Sequence, residues 1–220
     1  MNELLILGTL TTVHLIGLMS PGPDFALVVQ NATRYGRQTG VYIALGLSIG
    51  ILLHSILSLT GVSYLIHQQP LLYTLIQLAG GSYLAYLGLD ALHATWKNRH
   101  CRGETSALSR STLKIDSLAQ AFRRGFITNI LNPKALVFFV SLMSSLVPAE
   151  MSLSGKTAAL VLLWFISFVW FGSLAWLLST PRLQKKLLAV TPFIDSLCGL
   201  VFSSVGFTII YHSLSTWLGS

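Results

Sequence analysis

A chain of 220 residues that is 53% hydrophobic and only 10% charged, with a mean hydropathy of +0.68, carries long apolar runs where a soluble domain would show amphipathic patterning. Its formal net charge of +7 would suggest nucleic-acid binding in a soluble protein. Here the basic residues fall between apolar runs, so they read as topology signals; nucleic acid is excluded as a partner and the lipid bilayer is required as one.

The first apolar segment follows Met1-Asn2-Glu3, which lacks a basic n-region, and no small-residue cleavage site comes after it. It is expected to be a retained helix and not a signal peptide. Windows of about 20 apolar residues predict spans near 4–34, 40–66, 71–94, 121–147, 155–179 and 194–217. These imply an all-α membrane protein with one integral domain over 1–220. Its first three-helix half covers about 1–94, a basic connection about 95–120, and the second half about 121–220.

The first span is interrupted by Ser20-Pro21-Gly22-Pro23-Asp24 and the fourth by Asn132-Pro133-Lys134. Proline removes a backbone donor and forbids a continuous helix, and backbone groups freed at that depth must be satisfied within the protein, as where a broken helix lines a cavity. Ser20 before Pro21 and Asn132 before Pro133 fit a cap residue followed by proline at the first helical position. Each half-helix start then directs amides and a favourable dipole at an anion such as a carboxylate. Asp24 lies ten positions before Arg34 and Lys134 ten after Arg124. At about 1.5 Å per residue both charges sit roughly 15 Å from the basic edge, near the middle of a core of about 30 Å.

Twelve of the 14 Lys and Arg follow the first, third and fifth spans: Arg34 and Arg37; Lys97, Arg99, Arg102, Arg110, Lys114, Arg123 and Arg124; Arg182, Lys185 and Lys186. The positive-inside rule makes those loops cytoplasmic and puts both termini outside. A five-span chain with its N-terminus inside is the alternative. Three spans per half, with breaks in spans one and four, predict two inverted repeats related by an axis in the membrane plane. Gly46 and Gly50, and Gly80, Gly81, Ala85 and Gly88, form small faces that suit close helix packing or a sliding surface.

A carboxylate at the midplane needs a cation, a proton or Lys134, so Asp24 is the leading site candidate; a static Asp24–Lys134 ion pair fastening the halves is the bland reading. An α-amino acid could satisfy both charges in turn, and the proton affinity of Asp24 would change as Lys134 or substrate moves. Asn129 and Asn132 serve equally well as caps and helix contacts or as substrate ligands. His14 and His54 lie within spans one and two and read either as hydrogen-bonded core residues or as a proton relay. Asp90 and Asp195, near basic residues at span ends, suit solvated ion pairing. Trp164, Trp170 and Trp176 suit packing and lipid contact, and Trp217 an interfacial belt. Cys101 and Cys198 have neither disulfide nor metal-ligand placement. No cofactor is expected beyond a proton gradient as energy source, and a homo-oligomer remains open.

With Met19-Ser20-Pro21-Gly22-Pro23-Asp24, Gly125-Phe126, Asn129, Asn132-Pro133-Lys134-Ala135 and the Gly80-Gly81-Ser82-Tyr83-Leu84-Ala85-Tyr86-Leu87-Gly88 stretch, the chain resembles the LysE/RhtB family of bacterial amino-acid exporters over nearly its whole length. The resemblance implies export of amino acids across the inner membrane, driven by the proton gradient, with Asp24 and Asn132-Pro133-Lys134 important. A midplane with one evident acid favours a neutral, threonine-like or homoserine-like substrate over lysine or arginine. Export of basic amino acids or another small metabolite, a membrane scaffold, and an intramembrane enzyme are the other readings. No His-Glu-x-x-His or Gly-x-Ser-x-Gly motif supports the last.

Overall fold

The computed structural model of the protein describes residues 3–20, 22–68, 70–98, 115–148, 150–178 and 181–218. All secondary structure among them is helical: α1 (Glu3–Met19), α2 (Pro23–Tyr35), α3 (Arg37–Gln68), α4 (Pro70–Asn98), α5 (Leu118–Ile130), α6 (Pro133–Leu146), α7 (Leu153–Leu177) and α8 (Pro181–Leu218). Pro21, Arg99, Cys101, Arg102, Arg110 and Lys114 lie outside the described residues, as do the side chains of Lys97, Arg182, Lys185, Lys186 and Trp217.

Both breaks fall at the predicted prolines. The α1 and α2 axes differ by 58°, and those of α5 and α6 by 61°. At the second break Asn132 caps α6 through its side chain, which accepts from the Lys134 amide at 3.0 Å, with Pro133 at the helix start. The first break differs from expectation. Gly22, not Ser20, is the N-cap of α2, and Pro23, not Pro21, stands at its start. Proline disfavours helical backbone in the residue before it, so Pro23 pushes Gly22 to an extended conformation and delays the helix. Ser20 is thereby freed for a different partner.

The sixth span lies where expected, with its apolar segment over Pro192–Ser215, but its helix begins earlier. α8 continues through Pro192 and joins the basic segment to the apolar one, the proline removing one backbone bond without ending the helix. Between α2 and α3 the turn is a single residue, Gly36, whose φ of 89° is accessible to glycine at little cost.

α3, α7 and α8 contain segments long and apolar enough to cross a membrane, and counting each bent pair as one span gives up to five. The six-span expectation therefore depends on α4, whose 29 residues suffice in length but whose hydropathy is diluted by Gln77, Gly80, Gly81 and Ser82. The chain is a multi-pass membrane protein.

Two sets of contacts fix how the first bent pair lies. Glu3 accepts from the amide and hydroxyl of Ser152, at 2.9 and 3.0 Å, at the start of α7, and Thr33 donates to the Leu178 carbonyl at 3.2 Å, at its end. The pair thus runs the length of α7, whose 25 residues measure roughly 37 Å.

The glycines set the remaining helix pairings. α3 and α5 run parallel, with Gly46 against the Phe122 carbonyl and Gly125 against the Ile43 carbonyl. α4 and α8 run antiparallel, with Gly81 and Ala85 opposite Gly206 and Gly88 opposite Ser203 and Gly199. These are backbone approaches that a side chain would block. α3 sits at the centre, packing on α2, α5, α6 and α7. Leu10, Val28, Ile43, Leu47, Met143 and Leu163 are fully buried in the core, whereas Leu71, Val161, Phe165, Leu200 and Phe207 are exposed around the perimeter, as lipid-facing residues should be. Trp176 is one of these, with the Arg37 guanidinium 4.8 Å from its ring centroid; Trp164 and Trp170 are half-buried.

Candidate functional site

The two breaks meet at one cavity. Its volume is about 70 Å³, and it is lined by the end of α1, the starts of α2 and α6, the end of α5, and single residues of α3, α7 and α8. At about 10–15 Å³ per water centre this is room for roughly five waters, the scale of a small amino acid.

Asp24, in the first turn of α2, accepts a hydrogen bond from Asn129 Nδ2 at 2.7 Å on one oxygen and a longer one from Asn132 Nδ2 at 3.4 Å on the other. Lys134, in the first turn of α6, donates to Ser20 Oγ at 2.8 Å. The static Asp24–Lys134 ion pair does not form; among the described residues the carboxylate is held by neutral amides and the ammonium by a hydroxyl. Opposite charges share a cavity while each keeps bonding capacity for something else.

Asn132 has two tasks, capping α6 through its oxygen and reaching Asp24 through its nitrogen. Asn129 is fully buried, and its place depends on α3: a Cβ on Gly50 would lie 2.6 Å from Asn129 Oδ1. Gly22 and Pro23 line the cavity; Pro133 starts α6 behind it. His14 lines the cavity, with Nε2 2.8 Å from Ser167 Oγ. His54 stands outside the lining and donates from Nε2 at 3.1 Å to the Asn129 carbonyl, which also accepts from the Asn132 amide at 3.0 Å. Asp90 is exposed and Asp195 half-buried, and neither lines the cavity. Cys198 is buried and donates to the Ile16 carbonyl at 3.3 Å.

Sequence reasoning missed the other wall. Phe138, Phe139, Phe171 and Phe202 line it, with Phe138 5.3 Å from Phe139 and 5.9 Å from Phe202 between ring centroids. Aromatic residues in apolar spans give no signal that separates them from core. Ser167 and Gly50 were also missed as supports of His14 and Asn129. Among the described residues no group of three His, Cys, Asp or Glu comes together as a metal site.

Comparison with known proteins adds an independent line. A family model described as LysE type translocator matches residues 15–213. The threonine efflux protein of Salmonella typhi is 28% identical over 94% of this chain and 98% of its own length, and that of Escherichia coli strain K12 gives the same figures. A Haemophilus influenzae protein described as an uncharacterized membrane protein is 30% identical over 94% of this chain and 96% of its own. No solved structure matches the chain.

Proposed function

Because this chain belongs to the LysE type translocator family, and is therefore a translocator and not an enzyme, we propose that it exports neutral amino acids of the threonine or homoserine type across the bacterial inner membrane, driven by the proton gradient. The observation that carries this reading is the separation of Asp24 from Lys134 within one cavity. A zwitterion brings an ammonium to the carboxylate and a carboxylate to the ammonium, and each is a charge-assisted bond in a site with little water. The α6 start beside Lys134 adds its dipole to the carboxylate side. Asp24 takes up the coupling proton when no ammonium is present. The cavity wall supports a neutral side chain, since among the described residues it contains no second acid.

The exporter works by alternating access about this cavity, with six crossings in two inverted three-helix halves. The pairings of α3 with α5 and α6, and of α7 with α1 and α2, support that relation, as do the matching bends. So does the position of α4 alongside α8, although α4 is the least apolar crossing. Arg34, Arg37, Arg123 and Arg124 belong to the cytoplasmic side and both termini to the outside. A C-terminal reporter active only in the cytoplasm is expected to be silent; a bright signal would reverse the orientation.

The test of the substrate class is export of labelled threonine from vesicles in competition with its methyl ester, which lacks the carboxylate, and with 3-hydroxybutyrate, which lacks the ammonium. Neither analogue should compete; arginine exported in place of threonine would contradict the neutral-substrate reading. Gly50→Ala is expected to push the Asn129 amide off Asp24. Loss of one hydrogen bond to a charged group is worth about 1.5–3 kcal/mol, so kcat/KM should fall by about tenfold or more with the substrate order unchanged.

A further inference from the structure

We propose that His14 is the residue that distinguishes a hydroxylated substrate side chain from its hydrocarbon isostere; this rests on the exporter reading and deepens it. His14 is 1% exposed, and its ring centroid lies 6.3 Å from that of Phe138 and 5.6 Å from that of Phe139. Its Nε2 is 2.8 Å from Ser167 Oγ, while Ser167 donates its one hydroxyl proton to the Leu163 carbonyl at 2.6 Å. With that proton committed, Ser167 can only accept from His14. The imidazole proton is therefore on Nε2, and Nδ1 is left as a bare lone pair.

Nδ1 is buried and has no partner among the described residues. A buried acceptor without a donor is uncommon, and a ligand or water that supplies the donor explains it. The neighbouring wall of the cavity, Leu18, Phe138, Phe139, Phe171 and Phe202, is hydrocarbon. No other buried acceptor without a partner among the described residues competes for this role, since apart from Asn129 each belongs to a residue outside the lining. His54 Nδ1 belongs to a residue outside the lining, and Asn129 Oδ1 is turned toward Gly50.

The spacing suits a small amino acid. His14 precedes Ser20 by six residues, on the order of 9 Å of helical rise. A short side chain with a hydrogen bond of about 2.9 Å at either end has that reach. With the zwitterion held at Asp24 and Lys134, the side chain enters the phenylalanine wall, and a β- or γ-hydroxyl donates to His14 Nδ1.

Threonine and valine make the decisive pair, because they share a shape and differ by the hydroxyl. A hydrocarbon pocket separates such isosteres by no more than about 100-fold, whereas a site built to bond the hydroxyl rejects the analogue lacking it by far more. In proteoliposomes holding the purified protein, kcat/KM for labelled threonine is expected to exceed that for valine by at least about 100-fold. In His14→Phe the ratio should fall to near unity, through loss of threonine transport. Ser167→Ala, which releases the constraint on the ring proton without touching substrate, should lower the ratio by about tenfold. It carries the test if His14→Phe does not fold. Threonine, and not valine, should also raise the thermal midpoint of the wild-type protein in detergent.

Equal handling of threonine and valine by the wild type, or a ratio unchanged in the variants, would overturn the proposal while leaving the exporter intact. Loss of the pH-gradient dependence in His14→Phe with the ratio preserved would overturn it in favour of a proton relay. Transport of no amino acid by folded wild-type protein would remove the exporter reading and this proposal together.

Discussion

Asp24→Asn should abolish measurable export while leaving the protein folded. The Asn129 amide donates to one Asp24 oxygen at 2.7 Å, and an asparagine at position 24 can present its own oxygen to that donor. What it gives up is the longer contact from Asn132 and the negative charge. Removing one partner of a buried, hydrogen-bonded charge interaction costs about 2–5 kcal/mol, so substrate affinity or flux should fall by at least about 30-fold. Transport assays and a detergent melting curve on the same preparation check this together. Unchanged flux in a folded variant would remove Asp24 from the site, and a variant that fails to fold would make its role structural.

Gly46→Val should have the largest effect on stability. An added Cβ at Gly46 meets the Phe122 carbonyl and lies 2.7 Å from the Phe126 amide, both backbone atoms of α5 that cannot rotate away. The helices must separate, and the same crossing places Asn129 against Asp24. Overpacking of a tight contact costs about 3 kcal/mol, which for a protein of this size lowers the melting midpoint by roughly 6–12 °C. Gly8→Val is the control, since nothing lies within 4 Å of a Cβ there. Equal melting of both variants would mean that α3 and α5 do not cross at these glycines.

The contrast between what was legible and what was not follows from the range of the forces involved. Proline acts on its own backbone and the residue before it, so the breaks near Pro23 and Pro133 and the cap at Asn132 could be read locally. The common depth of Asp24 and Lys134 followed from counting helical rise to the arginines, and both do line one cavity. Their partners were not legible. Asn129 lies 105 positions from Asp24 and Ser20 lies 114 from Lys134, and sequence alone offered the two charges to each other. The same holds for His14 and Ser167, 153 positions apart. Ser20 was misread as a cap because two alternating prolines leave two possible starts, and only the constraint of Pro23 on Gly22 decides between them. The continuation of α8 through Pro192 is the opposite case, where a helix runs on past a local breaker that costs it one backbone bond.

The most direct measurement of the central claim is uptake of labelled threonine into everted membrane vesicles containing the protein, with and without an imposed pH gradient. Accumulation that requires the gradient, that excess unlabelled threonine suppresses and that its methyl ester does not is the predicted result. Folded protein that moves no amino acid under either condition would contradict it.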